Sequence, residues 1–296
     1  MLAIAQSGNK FHYINWIPTI NGPVIDGFGV KTYEQTNLSS TQFFKSLFSE
    51  LVEQYKIEIP IINFSLDMDS VHLSECFLPE NTHIENYNLW LNSLTYDSEF
   101  SNRFDSFNYP FAGNQSKCLN IHLPTQIKQS IINAVKQSHY EIRFLSLGIF
   151  SAESSAKILY KSNNYKSFLI WRIGKFNFNE ILYIKDGNLI CYLRFKRIKG
   201  ICKLHNYYGD TKATDKILKQ LEKCSESNLE KLKISAKIFI YSIVENSSEI
   251  KNIISENNAD IEHLNIANKI KIDNHSSSKK PFIFAETGLG FRGFDV

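Results

Sequence analysis

The chain has 296 residues, 43% hydrophobic and 21% charged, and 33 Lys plus Arg against 30 Asp plus Glu leave a net charge of +3. A chain this long buries roughly three quarters of its unfolded surface, so it needs neither disulfides nor a metal to fold, and the composition excludes wholesale disorder, collagen and a coiled coil. The balanced charge argues against a nucleic-acid partner, no window reaches the roughly 20 apolar residues that span a bilayer, and Leu2–Ala5 lacks the basic start and long apolar core of a secretory signal.

Leu2–Gln6, Phe11–Ile17 and Val24–Tyr33 read as three strands, separated by turns at Ser7–Lys10 and Asn21-Gly22-Pro23. Thr41–Tyr55 places Phe44, Leu47, Phe48, Leu51 and Val52 at helical spacing, with Ser39, Ser40 or Thr41 as its cap. Ile59–Leu66 and Val71–Leu78 are expected to form a hairpin around Asp67–Ser70, and Ile84–Leu94 a helix. Strands follow at Phe104–Phe111 and Cys118–Leu123 around a Gly113-Asn114 turn, then an amphipathic helix at Gln126–Ser138, a strand at Tyr140–Leu147 and a helix at Ser151–Tyr160 begun by Ser151.

Asn163-Asn164 reads as a boundary, because the strand-and-turn pattern restarts there. Phe168–Ile173, Glu180–Lys185 and Leu189–Phe195 form a second meander, with Asp186-Gly187 as the turn between its last two strands. A helix at Asp210–Cys224, a buried-type strand within Lys233–Val244, a helix at Ser247–Asn258, a polar linker at Asn274–Lys280 and a glycine-rich apolar tail complete the chain. A meander followed by helices, used twice, narrows the fold more than any single motif.

Candidate chemistry is sparse. Cys76, Cys118, Cys191, Cys202 and Cys224 include no close C-x-x-C pair and read as reduced structural thiols in a cytosol. The eight histidines show no H-x-x-x-H or H-E-x-x-H spacing, so no metal is expected. Asp67-Met68-Asp69 lacks the spacing and glycine of an EF-hand loop and reads as a hairpin turn. Ser151, Ser154 and Ser155 lack a G-x-S-x-G elbow. The basic run Arg194, Lys196, Arg197 and Lys199 alternates with Phe195 and Ile198; it suits nucleic acid or anionic lipid, and a solvated, aggregation-guarding strand edge better.

The duplicated plan resembles the actin-like (ribonuclease H-like) superfamily: an α/β fold of two duplicated domains, each a mixed sheet flanked by helices. Within it the chain resembles PilM, the actin-like component of type IV pilus assembly, and the cytoplasmic region of the type II secretion L protein. Four places carry the resemblance. Leu2–Trp16 stands where the family has its first phosphate loop, and Cys118–Ile149 reads as the family's strand, helix and strand, followed by a crossover helix at Ser151–Leu159. Leu169–Arg194, with Asp186-Gly187, resembles the second phosphate hairpin. Ala285, Gly288, Leu289, Gly290, Arg292 and Gly293 match the spacing of the family's closing A-x-x-G-L-A-x-R-G helix. The implied domains are 1–163, with an inserted subdomain at about 34–117, a shortened second domain at 164–278, and a closing segment, 279–296, packed back on the first.

The departures are as informative. The family's ATPases hold Mg-ATP with an Asp-x-Gly turn in each domain, whose amides take phosphate oxygens. Here Ala5 stands for the first Asp and Arg172 for the second, and no glycine occurs in Ser242–Asn246, where the adenosine-binding glycines fall. The resemblance therefore implies a pseudo-ATPase with no catalytic residue and no expected cofactor, residual ATP binding staying open at the phosphate-loop positions Gln6, Ser7, Gly8, Gly174 and Lys175. Arg172 and Lys175 are expected to be solvated. The implied work is a cytoplasmic scaffold, peripheral to the inner membrane, that binds the cytoplasmic N-terminal peptide of a PilN-like membrane protein and relays contact to an assembly motor ATPase. Candidate partner-binding residues are Tyr87, Trp90, Tyr96, Phe107 and Tyr109; the same aromatics also suit a small subdomain core. The alternatives are an active ATPase or phosphotransferase with unusual loops, and a generic interaction or nucleic-acid module.

Overall fold

The computed structural model describes residues 1–20, 22–77, 103–112, 117–198, 201–223, 236–243, 260–273 and 282–291. The expected helices Ile84–Leu94 and Ser247–Asn258, the Gly113-Asn114 turn, and the candidates Tyr87, Trp90 and Tyr96 lie outside them.

β1 (Leu2–Ser7), β2 (Lys10–Thr19) and β3 (Gly22–Thr32) form an antiparallel meander. α1 (Thr41–Gln54) crosses over to β4 (Ile61–Leu66), which lies parallel to β1, as a parallel pair requires a long connection. The Ser40 side chain caps α1 by accepting from the Phe43 N–H. Its periodic face, Phe44, Leu47, Phe48 and Leu51, is buried, and the rings of Phe44 and Phe48 meet Phe64 of β4 at 5.6 and 5.9 Å. β1 is buried along its whole length, as a strand covered on both faces must be.

A second, three-stranded antiparallel sheet is inserted before the first continues. Its strands are β5 (His72–Phe77), β6 (Phe104–Pro110) and β7 (Lys117–Pro124), in the order β5-β7-β6. α2 (Thr125–Gln137) then leads to β8 (Glu141–Leu147), parallel to β4, and to α3 (Gly148–Leu159).

The second half repeats the plan. β9 (Ser167–Ile173), β10 (Phe178–Lys185), β11 (Asn188–Ile198) and β12 (Ile201–Gly209) form an antiparallel meander. Asp186 (φ 49°) and Gly187 (φ 78°) make its middle turn, the left-handed pair that tight two-residue hairpins favour. After α4 (Thr211–Lys223) come β13 (Lys237–Ser242), parallel to β9, and β14 (Ile261–His263), parallel to β13. β15 (Lys271–Ile272) returns to pair with β3. The sheet orders are β15-β3-β2-β1-β4-β8 and β12-β11-β10-β9-β13-β14. Each contains three antiparallel strands followed by two parallel ones, so the duplication read from the sequence is a duplication of topology.

One apolar core runs between the halves: Phe64, Leu66 and Ile149 of the first meet Phe168, Ile170, Leu182 and Tyr241 of the second. The outer face of the first sheet, with Ile14, Trp16 and Ile25, is covered by Ile266, Ile283 and Phe291. Among the described residues no helix is long and apolar enough to cross a membrane.

Four expectations are corrected. β4 and β5 are not a hairpin: they belong to different sheets, and Asp67 begins a 3-10 turn, Met68–Ser70, that redirects the chain between them. α3 starts at Gly148, so Ser151 lies inside the helix and donates to Ser65 Oγ at 2.7 Å instead of capping it. The second meander has four strands, because β12 is present. That extra strand makes β11 interior, so the basic run is no sheet edge; Arg197 is buried and Arg194 is ion-paired to Asp69 at 2.7 Å.

Candidate functional site

The two β-turns named as phosphate-loop candidates lie where the halves meet. In the first, Gly8 has φ 61°, a left-handed conformation natural to glycine. Its N–H donates to Asp67 Oδ2 at 2.7 Å. Gln6 is buried beside it, its Nε2 donating to the Gly8 carbonyl at 3.0 Å and its Oε1 accepting from the Asp67 N–H at 3.3 Å. Ser7 is buried as well. In the second turn the Gly174 N–H donates to the Phe178 carbonyl at 2.7 Å, and Lys175 is exposed. A Cβ on Gly8 would lie 3.1 Å from Lys175 Nζ, so the two turns face each other closely.

Arg172, next to the last residue of β9, is tied to the first turn through Asp67. It is 4% exposed, not solvated as the sequence suggested, and it reaches three carboxylates at once. Nε donates to Glu286 Oε1 at 2.8 Å, Nη1 to Glu180 Oε2 at 2.7 Å and Nη2 to Asp67 Oδ1 at 2.9 Å. The planar fork of a guanidinium is the side chain that can satisfy three such acceptors. Tyr241 Oη donates to Glu286 Oε1 at 2.8 Å and Tyr192 Oη to Glu180 Oε1 at 2.7 Å. Asp67 comes from the first sheet, Arg172 and Glu180 from the second, and Glu286 from the 3-10 helix Ala285–Phe291, so one cation joins three parts of the chain.

Burial opposes the charge on Arg172, but the carboxylates of Glu286, Glu180 and Asp67 outweigh it and hold the guanidinium firmly protonated. Burial pushes the Glu286 carboxyl up to about 7, against the pull of Arg172 and with the charge of Asp67 adding to the rise. Its Oε2 has no hydrogen-bond partner and points at Gly148, the first residue of α3, where an added Cβ would come within 3.0 Å. Burial likewise raises the Tyr192 and Tyr241 hydroxyls, which stay neutral donors.

The closing glycine motif explains how Glu286 reaches this place. Gly288 lies against Ser155 of α3, whose hydroxyl donates to the Ala285 carbonyl. Gly290 lies against β1, where a Cβ would come within 2.6 Å of the Ala3 Cβ and 2.9 Å of Trp16 Nε1. Only residues without a side chain let the 3-10 helix settle between α3 and β1. Sequence reasoning found the glycines, read Asp67 only as a turn residue, and missed Glu286 and Glu180; an acidic residue inside an apolar glycine motif was the available signal for Glu286.

A second feature lies at the β8 end of the first sheet. β8 is the last strand of that sheet, and among the described residues it pairs only with β4. Beside it opens an apolar groove of about 500 Å³, lined by Leu145 and Leu147 of β8, Phe107 and Tyr109 of β6, Ile121 of β7 and Phe150 of α3. Tyr109 packs on Phe150 with ring centroids 5.5 Å apart, and Phe107 is 44% exposed with Lys128 Nζ 5.7 Å from its ring. The sequence candidates therefore fall in two places: Gln6, Ser7, Gly8, Gly174 and Lys175 at the junction of the halves, and Phe107 and Tyr109 in the groove.

No protein-family model matches the sequence, and no curated protein matches it. The topology, with its duplicated sheets meeting at two β-turns, is that of the actin-like α/β fold. Among solved structures the chain is similar to the PilM-PilN type IV pilus biogenesis complex, with 9% identity and a TM-score of 0.60 over 99% of this chain and 98% of that one. It is also similar to the cytoplasmic domain of EpsL, an inner-membrane component of the type II secretion system of Vibrio cholerae, with 7% identity and a TM-score of 0.46 over 98% and 92% of the two chains. A ROK family protein from Streptococcus pneumoniae, solved with sucrose, follows at 10% identity and a TM-score of 0.41, with 98% of each chain covered.

Proposed function

We propose that this chain is a noncatalytic, actin-like component of a type IV pilus or type II secretion assembly that captures an extended peptide from a PilN-like membrane protein. The observation that carries the reading is the apolar groove beside β8. A strand that among the described residues pairs on one side only can offer main-chain donors and acceptors, and the adjoining pockets take alternate side chains of a peptide laid along it. The similarity to a structure of PilM with PilN supports the choice of partner. In this reading the chain works at the cytoplasmic face of the inner membrane and passes contact on to an assembly motor ATPase.

The Arg172 cluster supports the noncatalytic half of the proposal. The Gly8 amide, which a phosphate oxygen would need, is already taken by Asp67, and the space beyond it is filled by Arg172 with Asp67, Glu180 and Glu286. A nucleotide's phosphates brought there meet three acidic groups in a dry setting, where like charges repel strongly. The residues do not fit Mg-ATP, and no hydrolytic step is assigned to them. Calorimetry with the cytoplasmic N-terminal peptide of a neighbouring PilN-like protein tests the partner, and binding that weakens on Leu145→Arg is expected; no heat at high micromolar peptide refutes it. Titration with Mg-ATP tests the rest: tight binding that is lost on changes at Ser7 or Gly174 refutes the noncatalytic reading.

A further inference from the structure

The end of the second sheet that carries the Gly174–Asn177 turn also carries a surface that peptide capture leaves unexplained. β10 and β11 are antiparallel with Phe178 opposite Lys196, so the turn preceding Phe178 lies beside the stretch of β11 that follows Lys196. Ile198 of that stretch pairs directly with Ile201 of β12, and Lys196 with Lys203. Residues opposite one another in a ladder share a face, and so do alternate residues along one strand. One end of one sheet face therefore displays Ile198, Ile201, Lys196 and Lys203, with Lys175 and Phe176 in the adjoining turn.

The apolar members protrude. Phe176 is 84% exposed, Ile201 69% and Ile198 51%, a concentration of large apolar side chains at one tip rather than the scattering that surfaces normally show. Phe176 is also held at φ 56°, a conformation unusual for an aromatic residue, and strain of this kind is a pointer to function. The cations sit behind the apolar tip: Lys196 and Lys203 are each two residues back from their isoleucine, about 7 Å at strand spacing. Lys196 lies over the Phe178 ring at 4.4 Å, with Arg194 5.0 Å from the same ring. Among the described residues, neither Lys175, Lys196 nor Lys203 has a carboxylate partner.

We propose that this tip docks directly on an anionic phospholipid bilayer, with Phe176, Ile198 and Ile201 entering the acyl boundary while Lys196 and Lys203 meet the headgroup phosphates. The layering fits that solvent. Peripheral elements seat apolar side chains about 5–10 Å into the interface with basic residues level with the phosphates, and long lysine stems let the ammonium reach back outward. A nucleic acid would favour the reverse order, cations outermost and flat aromatic faces for stacking; here two of the three protruding residues are aliphatic. The surface is remote in the chain from the groove beside β8, and the inference does not rest on the identity of any protein partner.

The test uses the whole chain alone with lipid vesicles. Cosedimentation is expected with phosphatidylcholine vesicles that are one third phosphatidylglycerol, falling as salt rises, and not with phosphatidylcholine alone. Lys196→Gln with Lys203→Gln should weaken binding about fivefold for each charge removed, and Ile198→Ser with Ile201→Ser about tenfold or more. Thermal melting shows whether these variants keep the fold. Independently of them, Phe176→Trp should raise the share of the emission that brominated lipid quenches above that of the unsubstituted chain, whose own tryptophans are Trp16, Trp90 and Trp171. No sedimentation with anionic vesicles overturns the proposal. So does binding that the isoleucine changes leave intact while single-stranded RNA competes for the site, the outcome of a nucleic-acid surface.

Discussion

Replacing Arg172 by methionine keeps an unbranched apolar stem and removes the guanidinium, both its charge and its three donor bonds. Three ion pairs of 2.7–2.9 Å are lost with it, between groups that are all nearly inaccessible to water. Removing one partner of a buried pair costs about 3–5 kcal/mol, because the partner left behind has lost both water and counter-charge. Three carboxylates would be stranded here, yet each keeps some compensation: Gly8 N–H still donates to Asp67, Tyr192 to Glu180 and Tyr241 to Glu286. Glu286, whose carboxyl is already pushed up to about 7, can also take a proton. The balance places the loss at about 3–4 kcal/mol near neutral pH. Urea unfolding of Arg172→Met against the unsubstituted chain measures it, read from the midpoint at unchanged slope. The loss should shrink near pH 5, where the Glu286 carboxyl is protonated. A loss below about 1 kcal/mol, the value of exposed pairs, refutes the dry three-way junction and restores the solvated arginine expected from the sequence alone.

Other consequences are as direct. Because the Glu286 pKa is raised in the fold, its contribution to stability is fully present below its ordinary carboxylate pKa of 4.5 and is lost as pH rises through about 7; Glu286→Gln, which does not titrate, should gain on the unsubstituted chain in urea midpoint between those pH values, and a constant difference refutes the shift. Gly290→Ala drives a methyl group against Ala3 and Trp16 and should cost about 1–3 kcal/mol of overpacking, seen as a lowered Tm; an unchanged Tm refutes the close seating of the 3-10 helix. Phe107→Ala with Tyr109→Ala should weaken capture of the PilN-like peptide by at least about tenfold in calorimetry while leaving the Mg-ATP titration unaltered, and undiminished binding moves the peptide elsewhere.

Local patterns made much of the fold legible. Alternation, turn residues and helical spacing act over a few neighbouring residues, so the two meanders, the Asp186-Gly187 turn and the Phe44–Leu51 face of α1 could be read directly. Misreadings came where a local signal had two tertiary outcomes. Asp67–Ser70 has turn chemistry, but turn chemistry does not say which sheet the next strand joins, and β5 left the sheet of β4. β12, exposed along most of its length, has little of the apolar regularity that marks a strand, and its absence from the reading turned an interior strand into a supposed edge.

The sequence by itself determined the duplicated plan, the identity of Ala5 and Arg172 at the two turns, and the glycines that let the closing segment pack tightly. Only the tertiary structure decided what surrounds Arg172. Arg172 looks like a surface residue at a strand end because its partners lie 105 and 114 positions away, at Asp67 and Glu286. The state of a charge depends on what surrounds it in space, and that is fixed when two halves and a terminal segment close around it, not by the residues on either side of it in the chain.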